Sequence, residues 1–164
     1  MGDKHILLPI NLRNSSFDTL LFAQKLARQS SARITLLNVV DLNIAAAPNV
    51  YDDVCQENKN ALRRLGKLFF GDAANVNVCV KIGRPHEQIL ETAQAEFCNL
   101  IVLSSPKPSV WRRLLDLGTV KAIVRAAPCP TLVLPRLWKM PPSQNRDVFP
   151  LVRTHTAFWM PAAT

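Results

Sequence analysis

The sequence predicts an α/β domain: a five-stranded parallel, doubly wound sheet with helices on both faces. Three observations predict it. Short continuous apolar runs at residues 6–10, 34–40 and 100–103 have the composition of strands buried on both sides. Stretches with apolar residues at helical spacing separate them. The resulting order is β-α-β-α-β-α-β-α-β, and strands that alternate with helices join into a parallel sheet through right-handed crossovers.

Each element has a local reason. Residues 6–10 read ILLPI, and Pro9 marks a strand terminus. Asn14-Ser15-Ser16 offers a helix N-cap, and Asp18 complements the dipole of the first turn. Phe17, Leu20, Leu21, Ala23 and Ala27 form one helical stripe to about residue 29. Residues 34–40 (ITLLNVV) are a second buried strand, and 42–49 a connection. Val50, Val54, Ala61, Leu62, Leu65 and Phe69 place a second helix over about 50–70, stopped by Gly71-Asp72.

Val76, Val78, Val80 and Ile82 alternate with Asn77, Cys79 and Lys81, giving a third strand with one less apolar face, suited to a sheet edge. Pro85 fits the first position of a helix, with Glu87 close behind. Ile89, Leu90, Ala93 and Phe97 complete that helix. Residues 100–103 (LIVL) are the fourth strand and 104–109 a polar loop. A helix over 110–126 and a strand over 129–134 close the pattern.

The periodic pattern ends at Pro135, which divides the 164 residues into a domain over 1–135 and an extension over 136–164. The extension mixes prolines with Trp138, Phe149, Phe158 and Trp159. Large apolar groups of this kind are rare in a free solvated tail. They predict packing against the parent domain or across a dimer interface, with Trp138 and Trp159 buried.

Hydrophobic residues at 48% and charged residues at 20% exclude a disordered polyampholyte. The net charge of +8 is spread along the chain, with no basic run longer than two. It reads as a solvated basic surface and not as a specific nucleic-acid interface. The four cysteines form no CxxC pair, which suits a reducing compartment, and the expected location is the cytoplasm. Cysteines and the scattered His5, His86 and His155 show no zinc spacing, so no metal is expected. No apolar run approaches twenty residues, and no membrane span or targeting segment is expected.

Ligands of open parallel sheets bind beyond the carboxyl ends of strands, where strand order reverses. Here that means the loops at 11–15 and 104–109. Several chemistries are excluded there. A phospho-acceptor domain needs acids where this chain has Asn11 and Lys81-Ile82-Gly83. The five glycines form neither G-x-G-x-x-G nor a P-loop. No G-x-S-x-G elbow occurs, and no nucleophile has a base partner evident in the sequence. No catalytic residue is assigned, and the chain is not expected to be an enzyme.

Three segments resemble the universal stress protein family. HILLPINLRNSSFDTLLFAQKLARQSSARITLLNVVD is similar to its first β-α-β unit. VKIGRPHEQILETAQAEFCNLIVLSS is similar to its third strand, Gly-x-Pro helix start and fourth strand. LLDLGTVKAIVRAAPCPTLVL is similar to its last helix and strand. The resemblance covers about residues 4–135. It implies strand order 3-2-1-4-5 and homodimerisation, often through the last strand.

The resemblance also implies a site between the first and fourth strands, where some members bind ATP. They use G-x-x-G, nine residues, then G-[ST], with an Asp ending the first strand. The corresponding positions here are Pro9, Ile10, Asn11, Val39, Ser104, Ser105, Lys107, Gly118 and Thr119. Only Gly118-Thr119 keeps the family pattern. Asn11 replaces the Asp. Counted back from Gly118-Thr119, the two loop glycines fall at Ser105 and Pro108; anchored on the fourth strand, they fall at Ser104 and Lys107.

Pro106 and Pro108 have no N–H to donate to a phosphate, and they restrict the residues before them. The expectation is therefore a dimeric stress-response regulatory module that lacks the glycine-rich ATP loop and carries no cofactor, with a protein partner beside the second copy. The alternative is an ATP- or AMP-binding sensor of the same fold with a rewired phosphate site. Without a phosphate loop, Gly118 reads as a packing or bend position in its helix.

Overall fold

The computed structural model describes residues 4–13, 17–41, 48–71, 75–104, 115–134 and 158–159. The elements in chain order are β1 (His5–Pro9), α1 (Phe17–Ser30), β2 (Arg33–Val40), α2 (Pro48–Phe70) and β3 (Val76–Ile82). They continue with α3 (Pro85–Ala95), β4 (Leu100–Ser104), α4 (Leu115–Ala126), β5 (Thr131–Leu134) and β6 (Phe158–Trp159). All strands lie parallel in one sheet of order β3-β2-β1-β4-β5-β6. The first five strands follow the expected order 3-2-1-4-5. The sixth, from the extension, has no counterpart in the predicted pattern.

Alternation along the central strands builds two cores. Ile6, Leu8 and Ile10 face Leu20, Ala23 and Leu26 of α1 and Leu62, Phe69 and Phe70 of α2. Leu7 points the other way, joining Leu37, Ile101 and Leu103 against Ile89 and Ala93 of α3 and Ile123 of α4. Both faces are therefore covered, which explains why the central strands read as unbroken apolar runs. Burying each such Leu or Ile contributes about 1.5–3 kcal/mol. The exposed Asn77, Lys81 and Ile82 place β3 at the solvated edge its composition predicts.

Several boundaries shift for identifiable reasons. α2 starts at Pro48, where a missing N–H is harmless, and not near residue 50. β5 starts at Thr131 and not at 129, because Pro130 cannot donate to the ladder; its carbonyl still accepts from Ile101 N–H at 3.0 Å. The N-cap expected at residues 14–16 and the first turn of the helix expected from 110 lie outside the described residues, as do the Trp138 and Trp159 side chains.

Phe97 does not complete the α3 stripe. It takes φ 51° and is 85% exposed. The helix closes with Cys98 N–H donating to the Ala93 carbonyl at 2.9 Å and Phe97 N–H to that of Gln94 at 3.2 Å. That is a Schellman closure with a phenylalanine where glycine is usual. Gly83 fills a similar need at the end of β3. It has φ +145° and donates its N–H to the Val40 carbonyl at 2.9 Å.

Candidate functional site

The strand order reverses at β1, which lies between β2 and β4. Ile6 pairs with Ile34 on one side and Leu100 on the other. The carboxyl ends of β1 and β4 therefore stand side by side, and the crevice expected of this topology lies above them. Pro9, Ile10, Asn11, Val39 and Ser104 all map to this end of the sheet. α4 follows β4, so Gly118 and Thr119 belong to the helix that leaves from the same end. Ser105 and Lys107 lie outside the described residues.

The turn leaving β1 is held from behind. Ile10 N–H donates to the Leu37 carbonyl at 2.7 Å, carrying the ladder one residue past the strand. The Ile10 carbonyl accepts from the buried Asn38 side chain at 2.8 Å, and Asn38 Oδ1 accepts from Asn58 Nδ2 at 2.9 Å. One amide chain thus ties β1, β2 and α2 together beneath the crevice. Neither asparagine belongs to a recognisable motif. The available signal for Asn38 is a carboxamide inside the otherwise mostly apolar run ITLLNVV.

Asn11 is exposed, and its Oδ1 accepts the Arg13 N–H at 3.0 Å, an Asx turn that bends the side chain back on its own loop. Val39 is half-buried and packs with the second core. Ser104 is half-buried and pairs with Leu134. Gly118 is exposed, and a Cβ placed on it would meet nothing within 4 Å. The described residues leave the space beside Gly118 open; residues 105–114, which precede α4, lie outside them.

A second polar cluster lies at the opposite end of the sheet. His5 is buried at the foot of β1; its Nδ1–H donates to the Glu96 carbonyl at 3.0 Å, and its Nε2 lies 2.9 Å from Thr35 Oγ1. The Thr35 hydroxyl donates to Glu96 Oε2 at 2.6 Å. His5 N–H donates to Asn99 Oδ1 and Asn99 N–H to the His5 carbonyl, each at 2.8 Å. Cys98 Sγ stands 3.8 Å from His5 Nδ1. Burial, reinforced by the Glu96 carboxylate, pushes the Cys98 thiol up to about 12.

The fold thus gathers His5, Glu96 and Cys98 with ligand atoms within 4.8 Å of one another. Their spacing along the chain shows none of this. As arranged, the histidine and the carboxylate are engaged in hydrogen bonds and the thiol keeps its proton. The cluster clasps the feet of β1, β2 and β4 to the end of α3. Burial raises Cys79 on β3 and Cys129 before β5 as well, so these half-buried thiols stay protonated.

Fold and site define a doubly wound α/β protein whose crevice sits over adjoining first and fourth strands. The chain belongs to the universal stress protein family, whose model matches residues 3–135. Universal stress protein UspA from Lactobacillus plantarum is similar at 25% identity and TM-score 0.64, over 80% of this chain and 97% of that one. A universal stress protein in complex with cAMP is similar at 15% identity and TM-score 0.56, over 83% and 99%. One from Archaeoglobus fulgidus in complex with dAMP is similar at 12% identity and TM-score 0.53, over 81% and 98%.

Proposed function

We propose that the chain is a stress-response regulatory module that works as a homodimer and does not hold ATP through a glycine-rich loop. The observation that carries this is the sequence leaving β4, Ser104-Ser105-Pro106-Lys107-Pro108-Ser109. No glycine occurs between Gly83 and Gly118, and two of these six residues have no N–H. Charge-assisted main-chain bonds to phosphate are worth about 1.5–3 kcal/mol each, so losing two or three weakens binding by orders of magnitude. The Asx turn at Asn11 is consistent with this reading, since a carboxamide there replaces the family's carboxylate.

The module works by association and not by catalysis. No helix among the described residues is long and apolar enough to cross a membrane, and free cysteines suit the cytoplasm. Isothermal titration of the purified chain with Mg-ATP tests the reading. No micromolar binding is expected, and a micromolar dissociation constant overturns it.

A second reading, an ATP- or AMP-responsive sensor with a rewired phosphate site, is favoured by one observation. Gly118 keeps a glycine in an exposed helical position where nothing among the described residues crowds it, at a cost of about 1 kcal/mol relative to alanine. A close ligand would account for it, and two structural relatives are complexes with cAMP and dAMP. In this reading Lys107→Ala and Thr119→Ala each lower nucleotide affinity; unchanged affinity excludes it.

A further inference from the structure

The two edges of the five-strand core are protected differently. β3 carries the exposed Lys81 and Asn77, and charge on an edge strand discourages pairing with another chain. β5 reads Thr131-Leu132-Val133-Leu134 and has no charge at all. Left open, its outer N–H and C=O groups would template a further strand. The chain supplies one itself: β6 lies parallel to β5, with Leu132 opposite Phe158 and Val133 opposite Trp159. The family model ends at residue 135, so this cover comes from beyond the segment shared with relatives.

We infer that β6 is an intrachain cap on the β5 edge, and that a second copy's β5 takes its place when the chain dimerises. This rests on the homodimer reading above and adds its control. β6 spans two of the four β5 residues, whereas a second β5 offers four. Two edges related by a twofold axis meet antiparallel and self-complementary, and uncharged β5 strands meet without like-charge repulsion. Residues 135–157 connect cap to strand, so the cap is tethered and competes intramolecularly. Association through β5 is then set by the balance between tethered cap and second copy.

The test compares the full chain with the full-chain double variant Phe158→Pro/Trp159→Pro, which cannot donate to the ladder. Phe158→Asp/Trp159→Asp serves as the second variant if the first fails to fold by circular dichroism. Sedimentation velocity is expected to give the uncapped variant a dimer dissociation constant at least tenfold lower than that of the unaltered chain. Hydrogen exchange at residues 131–134 should become concentration-dependent at lower protein concentration in the variant than in the unaltered chain. Adding Leu132→Lys to the variant should return it to monomer.

Equal association of variant and unaltered chain overturns the cap while leaving the dimer reading standing. An uncapped variant that stays monomeric, with freely exchanging β5 amides, overturns both. A dimer that falls apart in the variant overturns the cap by showing that β6 holds the copies together.

Discussion

The Thr35 hydroxyl donates to the Glu96 carboxylate across 2.6 Å, joining two residues 61 positions apart at the foot of the sheet. His5 shares both partners, so the three groups form one unit. Glu96→Ala removes the charged acceptor of the buried Thr35 hydroxyl, which can then turn only to His5 Nε2 2.9 Å away, and is expected to cost about 1 kcal/mol. Thr35→Val should cost a similar amount, and the double variant less than the sum. Urea unfolding of the three variants checks this; strict additivity would show that the contact carries no energy of its own.

Asn38 provides the second structural bond worth testing. It is buried, donates to the Ile10 carbonyl and accepts from Asn58. Asn38→Ala leaves that carbonyl unpaired beneath the crevice and should lower stability by about 1–3 kcal/mol. Asn58 is only half-buried, so Asn58→Ala should cost clearly less. Denaturant midpoints in that order support the network; equal losses would not.

Far more of the fold than of the site was legible in the sequence, and the reason is range. Runs such as ILLPI and LIVL declare buried strands because burial on both faces removes every polar position. Val76–Ile82 declared an edge through its alternation. The clasp of His5, Thr35, Glu96 and Cys98 was not legible, since its members come from β1, β2 and the turn after α3, and no local spacing links the three. β6 was hidden for a related cause. Two residues show no periodicity, and only the open edge of β5 makes them a strand. Phe97 fitted the helical stripe and yet lies outside it, because the Schellman closure after Ala95 turns it into solvent.

That closure yields a stabilising substitution. Phe97 sits at φ 51° with its side chain exposed, so it bears left-handed strain with little burial in return. Phe97→Gly is expected to raise stability by about 1 kcal/mol, read as a higher melting temperature. A lower melting temperature would mean that the exposed ring makes contacts worth more than the strain.

Two glycines should respond oppositely to alanine. Gly118 is helical, without a positive φ and with open space where a Cβ would go. Gly118→Ala is expected to stabilise by about 0.5–1 kcal/mol. Gly83 has φ +145°, and a Cβ there would meet Gln88 Cγ at 3.2 Å, so Gly83→Ala should destabilise. Thermal melts of both variants decide it; loss of stability in Gly118→Ala would point to an occupied space beside that helix.

Cys98 gives a pH signature with a definite sign. Burial, then the neighbouring Glu96 carboxylate, raises its thiol from an ordinary 9.0 to about 12, against a lowering by Arg33. Below pH 9 both folded and unfolded chains keep the proton, and the full stability is present. As pH rises past 9 the unfolded thiol releases a proton that the folded one retains, so stability falls toward pH 12. Cys98→Ala removes this contribution while leaving the other titrating groups in place. Its deficit relative to the unaltered chain should therefore shrink as urea titrations move from pH 8.5 to 10.5. Alkylation of Cys98 by iodoacetamide at pH 8.5 should also be much slower in the folded than in the unfolded chain, because the thiolate is the reacting form. A deficit that stays constant across the range, with rapid alkylation, would mean that the thiol ionises at its ordinary value within the clasp.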